Sequence, residues 1–173
     1  MNNLRECESS SSVSNPFNFK RKHTIMVQYW IFVSFPYSDY NKGTILEMAE
    51  NLTRFTKWRI GKRTANRGQL AKDDKVLLYQ AGEEGKKFVG TATLFSNLQI
   101  SSEEISDWVA IGNIEFWKKI IPIATLLCQL SFIKNKNKWG LYFKGGIIKI
   151  SEEDYNTVIS KAKKEKQKHI QKQ

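Results

Sequence analysis

The 173-residue chain has two cysteines, two histidines and three prolines. Cys7 and Cys128 are too few and too badly placed for a disulfide framework, which argues against a secreted scaffold and against a cysteine-based zinc site. His23 and His169 both fall outside the segment expected to form the core. That core therefore lacks the commonest general base and the commonest metal ligand, and catalysis would rest on Asp, Glu or Lys. The longest apolar stretches fall well short of the ~20 residues that cross a bilayer as a helix. No apolar run follows a basic start, so the N-terminus does not read as a signal peptide. Gly82 and Gly85 form no phosphate loop: GK[ST] is missing and no helix follows.

What is present is a basic, aromatic-rich chain. Hydrophobic residues make up 40% of it, enough for one ordinary core, and the length fits one domain. There are 28 Lys+Arg against 17 Asp+Glu, a formal net charge of +11. Residues 1–27 carry +2, residues 28–160 carry +4 and residues 161–173 carry +5. Such an excess suits a polyanionic partner, most often nucleic acid. A lysine-rich tail also serves simply to keep a chain in solution.

Residues 1–26 read as a disordered tail, with Ser9 to Ser12 in a row and few large apolar residues. Met26, just before the first strand, stands as an alternative start. Residues 27–160 read as the folded domain, and residues 161–173 as a basic helical extension or tail.

Within the domain, Val27 to Phe35 alternates with apolar residues on both faces, which predicts a central buried strand ended by Pro36. Ile45, Met48, Ala49, Leu52 and Phe55 are spaced as one helix face. Lys57 to Lys72 is polar, basic and without clear period, and predicts a loop. Val76–Gln80 and Phe88–Phe95 around a glycine-containing turn predict a hairpin. At least one strand is expected within Trp108–Ile123 and a last one over Gly140–Ile150. Ser151 is expected to cap a helix whose buried stripe is Tyr155, Val158, Ile159 and Ala162. The sum is an α+β domain, a small mixed β-barrel or curled sheet flanked by helices.

Four segments carry a family resemblance. YWIFVS at 29–34, KDDKVLLYQAGEEGKKFVGTATL at 72–94, LSFIKNKNKWGLYF at 130–143 and SEEDYNTVI at 151–159 together resemble an EVE domain over about residues 27–160. The third, an FI-x-N-K-x-x-W stretch, is the most specific, and Asp73 stands where that family usually has glycine. The resemblance implies a PUA-like barrel, similar to the YTH domains that read methylated adenosine in RNA. It implies binding of RNA or DNA with a modified base, the base entering an aromatic pocket. The positions matching that layout are Ser34, Trp58 and the Tyr79–Gln80 pair, with Trp108 and Trp139 as candidates for further cage walls. The strand would be single, or its base extruded.

The residues themselves add a basic surface. Arg59, Lys62, Arg63 and Arg67 lie beside Trp58, and Lys134, Lys136 and Lys138 precede Trp139. These seven are the candidate phosphate contacts, and an indole among cations offers a stacking face. The alternatives are a solvated basic loop and tryptophans that merely close the barrel. Trp30 and Trp117 read as packing. The acid pairs Asp73–Asp74, Glu83–Glu84 and Glu103–Glu104 read as exposed turns, so no two-carboxylate active site is evident. A cytoplasmic base-binding domain without cofactor, metal or membrane partner is the expectation, its oligomeric state open. An enzyme acting on a nucleotide or modified nucleoside in the same pocket is one alternative. A protein-interaction module using the basic C-terminal helix is another.

Overall fold

The computed structural model describes residues 26–34, 56–82 and 85–170, with side chains up to Lys164. The expected N-terminal tail and the helix face at 45–55 lie outside the described residues. In chain order the described elements are β1 (Tyr29–Ser34), β2 (Thr56–Gly61), β3 (Lys75–Gln80), β4 (Lys87–Leu94), β5 (Ser106–Pro122), β6 (Ile147–Ile150) and α1 (Glu152–Ile170). Short 3-10 turns occupy Arg67–Gln69, Ile123–Thr125 and Lys136–Phe143.

The six strands form one mixed sheet in the order β2-β5-β4-β3-β1-β6. β1 lies between β3, to which it runs parallel, and β6, to which it runs antiparallel. Both its faces are apolar because both are covered, as the alternation predicts. β3 and β4 pair as the expected hairpin.

The sheet curls. Trp58 of edge strand β2 and Phe32 of β1 are four strands apart in the order, about 19 Å along a flat sheet. Their rings lie 5.3 Å apart. One cluster gathers buried residues from all six strands, among them Trp30, Phe32, Trp58, Val76, Leu78, Leu94, Ile111 and Ile147. That cluster is the interior of a barrel-like sheet. A second cluster covers the outer face of β1 and β3, where Ile31, Val33, Leu77 and Tyr79 meet Leu126, Leu130, Ile133, Phe143 and Val158. Residues 123–143 and α1 form this outer layer.

Two boundaries differ from the sequence reading. Residues 56–61 are a strand and not part of a loop: Trp58 and Ile60 are buried while Lys57 and Arg59 are exposed. With two apolar positions in six residues, the alternation is too short to stand out from sequence. The expected last strand over Gly140–Ile150 is confined to Ile147–Ile150, because Lys136–Phe143 winds into 3-10 geometry.

Helix α1 begins as expected. The Asp154 amide donates to Ser151 Oγ at 3.1 Å, an N-cap contact. Tyr155, Val158, Ile159 and Ala162 pack on the outer cluster. Asp154 itself is buried, its carboxylate accepting from the Ser131 amide at 2.6 Å, Ser131 Oγ at 2.8 Å and the Phe132 amide at 3.3 Å. One side chain thus ties the helix start to the segment before the lysine-asparagine turn.

Candidate nucleic-acid interface

Side chains alternate along a strand, so neighbours in sequence serve opposite faces. Trp30 and Phe32 point into the barrel, which puts Ser34 on the same side. Val76 and Leu78 do so on β3, which puts Gln80 on that side too. Ser34 and Gln80 are register partners at the C-terminal ends of parallel strands. They stand one step beyond Phe32 and Leu78 on the inner face, at the C-terminal end of the β1–β3 pair. Trp58 packs on Phe32 just inside and is 1% exposed.

The backbone at this strand end is firmly held. The Ala81 amide donates to the Ser34 carbonyl at 2.9 Å and the Lys86 amide to the Gln80 carbonyl at 2.7 Å. Gly85 is pressed against that turn: a Cβ there would stand 2.3 Å from the Ala81 carbonyl oxygen. No larger residue fits without moving the backbone that carries Gln80.

The other expected pocket residues lie elsewhere. Tyr79 belongs to the outer cluster, its ring stacked on Phe143 at 4.2 Å and edge-on to Phe88 at 5.2 Å. Burial pushes its phenol well above the ordinary value. Trp139 meets the same Phe143 edge-on at 6.0 Å and is half-buried. Trp108 lies on the outer face of β5, opposite the buried Val109, with Lys57 Nζ 4.4 Å from its ring centre. The six residues therefore do not form one pocket. Ser34, Trp58 and Gln80 share the barrel interior, Tyr79 and Trp139 share the covered outer layer, and Trp108 sits on an outer surface. Consecutive residues such as Tyr79 and Gln80 cannot line one pocket from a regular strand.

The cations divide as well. Arg67 pairs with Asp107, whose side chain is 1% exposed and whose Oδ1 also accepts from the Ser101 amide at 3.2 Å. Arg67 is thus committed to the fold. Lys136 Nζ donates to the Leu130 carbonyl at 2.7 Å, which likewise gives it a structural partner. Arg59 Nη1 lies 3.2 Å from Glu104 Oε2, both side chains about half exposed, a pair worth ~0–1 kcal/mol. Lys62, Arg63, Lys134 and Lys138 are exposed. In the FI-x-N-K-x-x-W stretch, Asn135 Oδ1 accepts from the Asn137 and Lys138 amides at 3.1 Å each, so that motif builds its own turn.

The sequence reading missed Asp74 and Phe95. Asp74 is buried where a solvated turn was expected. Phe95 is 41% exposed, and its ring lies against Gly112 on the outer sheet face, where a Cβ would stand 2.6 Å from a ring carbon. The signal available in the sequence was a lone glycine in an otherwise full-sized strand. Among the described residues, no three His, Cys, Asp or Glu gather as a metal site, and no helix is long and apolar enough to cross a membrane.

Comparison with known proteins places this fold. A UPF0310 protein of Mycolicibacterium gilvum is 24% identical over 115 residues, spanning 62% of this chain and 81% of its own. A hypothetical protein from Leishmania major superposes with a TM-score of 0.61 at 14% identity, over 82% of this chain and 98% of its own. Human THYN1 protein, solved in complex with DNA containing 5-methylcytosine, superposes with a TM-score of 0.59 at 14% identity. That match spans 78% of this chain and 97% of THYN1's. The EVE domain model matches residues 28–161, and with the curled PUA-like sheet that match assigns this chain to the EVE domain family.

Proposed function

We propose that this domain binds nucleic acid and takes a modified base into the barrel mouth bounded by Ser34 and Gln80. The observation that carries the reading is the convergence of Ser34 and Gln80 beside the buried Phe32–Trp58 pair. Barrel mouths are common ligand sites, and polar groups over an apolar floor suit a flat heterocycle with hydrogen-bonding edges. The bound DNA of THYN1, a protein of the same fold, supports nucleic acid as the partner class. The net charge of +11 supports it independently.

Gln80 offers an amide that both donates and accepts, as a base edge requires, and Ser34 offers a hydroxyl. Exposed Lys62, Arg63, Lys134 and Lys138 supply candidate phosphate contacts. Extruding a base costs a few kcal/mol, and a methyl in an apolar pocket returns only ~1–3 kcal/mol, so affinity and selectivity are modest. Trp58 acts here as the floor that holds Phe32, not as a free stacking wall.

The test is a set of matched oligonucleotides, unmodified and carrying methylated adenine, methylated cytosine or hydroxymethylated cytosine, titrated against wild type and Gln80→Ala. Preference for one modified strand, lost in Gln80→Ala with the fold intact, supports the reading. A preference that survives Gln80→Ala overturns the placement of the base.

A further inference from the structure

The outer layer does not extend over the whole sheet among the described residues. Among the described residues, Trp108 and Phe95 pack into neither core cluster. Both stand on the outer face of the β2–β5–β4 region, opposite the buried Trp58, Val109, Ile111 and Leu94. The Phe95 amide donates to the Ala110 carbonyl at 2.7 Å, which fixes the segment after β4 beside β5. From there the Phe95 ring crosses onto Gly112, whose missing side chain is what lets it lie against the backbone. Trp108 lies four residues from Gly112 on β5, about 13 Å along a strand.

We propose that this face is a stacking platform for the single strand that flanks the recognised base. The inference rests on the nucleic-acid reading above and extends it to a second surface. Two features favour a polynucleotide over an apolar protein partner. Phe95 is 41% exposed and Trp108 half-buried beside Lys57, so Phe95 offers the more open ring and Trp108 a partly covered one, an arrangement that suits stacked bases of any sequence. Cations border them: Lys57 sits over Trp108, and β2 runs past Arg59 into exposed Lys62 and Arg63. Glu104 draws on Arg59, so Lys57 is the cation assigned to a phosphate beside the Trp108 ring. A polyanion with flat bases matches both features, whereas an acidic peptide uses only the charge.

The experiment measures binding of a labelled, unmodified 12-nucleotide single strand and of the same strand with 5-methylcytosine, by anisotropy at two salt concentrations. Wild type is compared with Phe95→Ala, Phe95→Trp, Lys57→Glu and Gln80→Ala, each checked for an unchanged melting temperature. The platform predicts at least about a fivefold loss for unmodified strand in Phe95→Ala and in Lys57→Glu. It predicts recovery in Phe95→Trp, and in Gln80→Ala the loss of any preference for the 5-methylcytosine strand. Wild-type binding that Phe95→Ala and Lys57→Glu leave unaltered overturns the platform and leaves the nucleic-acid reading standing. Failure of wild type to bind either strand overturns both.

Discussion

The Trp30 indole N–H donates to the Asp74 carboxylate at 2.8 Å, with both residues buried. The same carboxylate accepts from the Gln28 amide at 2.9 Å and the Ala71 amide at 3.0 Å. One acid thus fixes the start of β1, the entry to β3 and one of the two largest core side chains at once. Charge-assisted hydrogen bonds are the strong ones, and a buried donor left unpaired costs more than the bond gains.

Asp74→Ala is expected to cost on the order of 3 kcal/mol, since it strands three N–H donors. Asp74→Asn should cost nearly as much, because an amide turns its own N–H toward one of those donors. Urea unfolding of the two variants checks this; a loss under 1 kcal/mol in both contradicts it.

The backbone approach at Gly90 supports a sharper contrast. A Cβ there would stand 2.2 Å from the Glu115 carbonyl oxygen, across the β4–β5 pair. Gly68 has open space around the same position. Gly90→Ala should therefore lose several kcal/mol or fail to fold, as overpacking against backbone does. Gly68→Ala should be neutral or gain up to about 1 kcal/mol through the unfolded chain. Thermal melts of the pair measure both effects.

Much of the fold was legible because it rests on strong local patterns. β1 shows two apolar faces, the β3–β4 hairpin is bounded by its glycine turn, and Ser151 precedes three acids. β2 escaped notice because its inward residues are only Trp58 and Ile60 among cations. The placement of the candidate residues was half legible. Ser34, Trp58 and Gln80 do share a face, but Tyr79 and Trp139 meet around Phe143 on the other side of the sheet. Strand parity alone separates Tyr79 from Gln80. The commitment of Arg67 to Asp107 needed three dimensions, since the two are 40 positions apart.

Burial makes the stability fall in alkali. The Tyr79 phenol is raised above its ordinary value of 10.0. Above pH 10 the unfolded chain releases that proton while the folded chain keeps it, so the contribution is whole below pH 10 and shrinks as pH rises. The slope from this one group is at most about 1.4 kcal/mol per pH unit. Melting temperatures between pH 8 and 11 should fall less steeply in Tyr79→Phe than in wild type. Identical slopes contradict the assignment.

Trp58 separates structure from binding. At 1% exposure against Phe32, Trp58→Ala is expected to cost about 3–5 kcal/mol as a core truncation. Trp58→Phe keeps most of the packing and should retain the fold with a smaller loss. If Trp58→Ala melts like wild type, the indole does not support Phe32 as a core floor.

Base reading by this domain is tested by tryptophan-fluorescence titration with matched short strands, unmodified and modified, at two salt concentrations. A base-reading site binds one modified strand more tightly. That preference should persist at the higher salt and vanish in Gln80→Ala. Equal, strongly salt-dependent binding of every strand would contradict it, leaving a basic surface without a base-reading mouth.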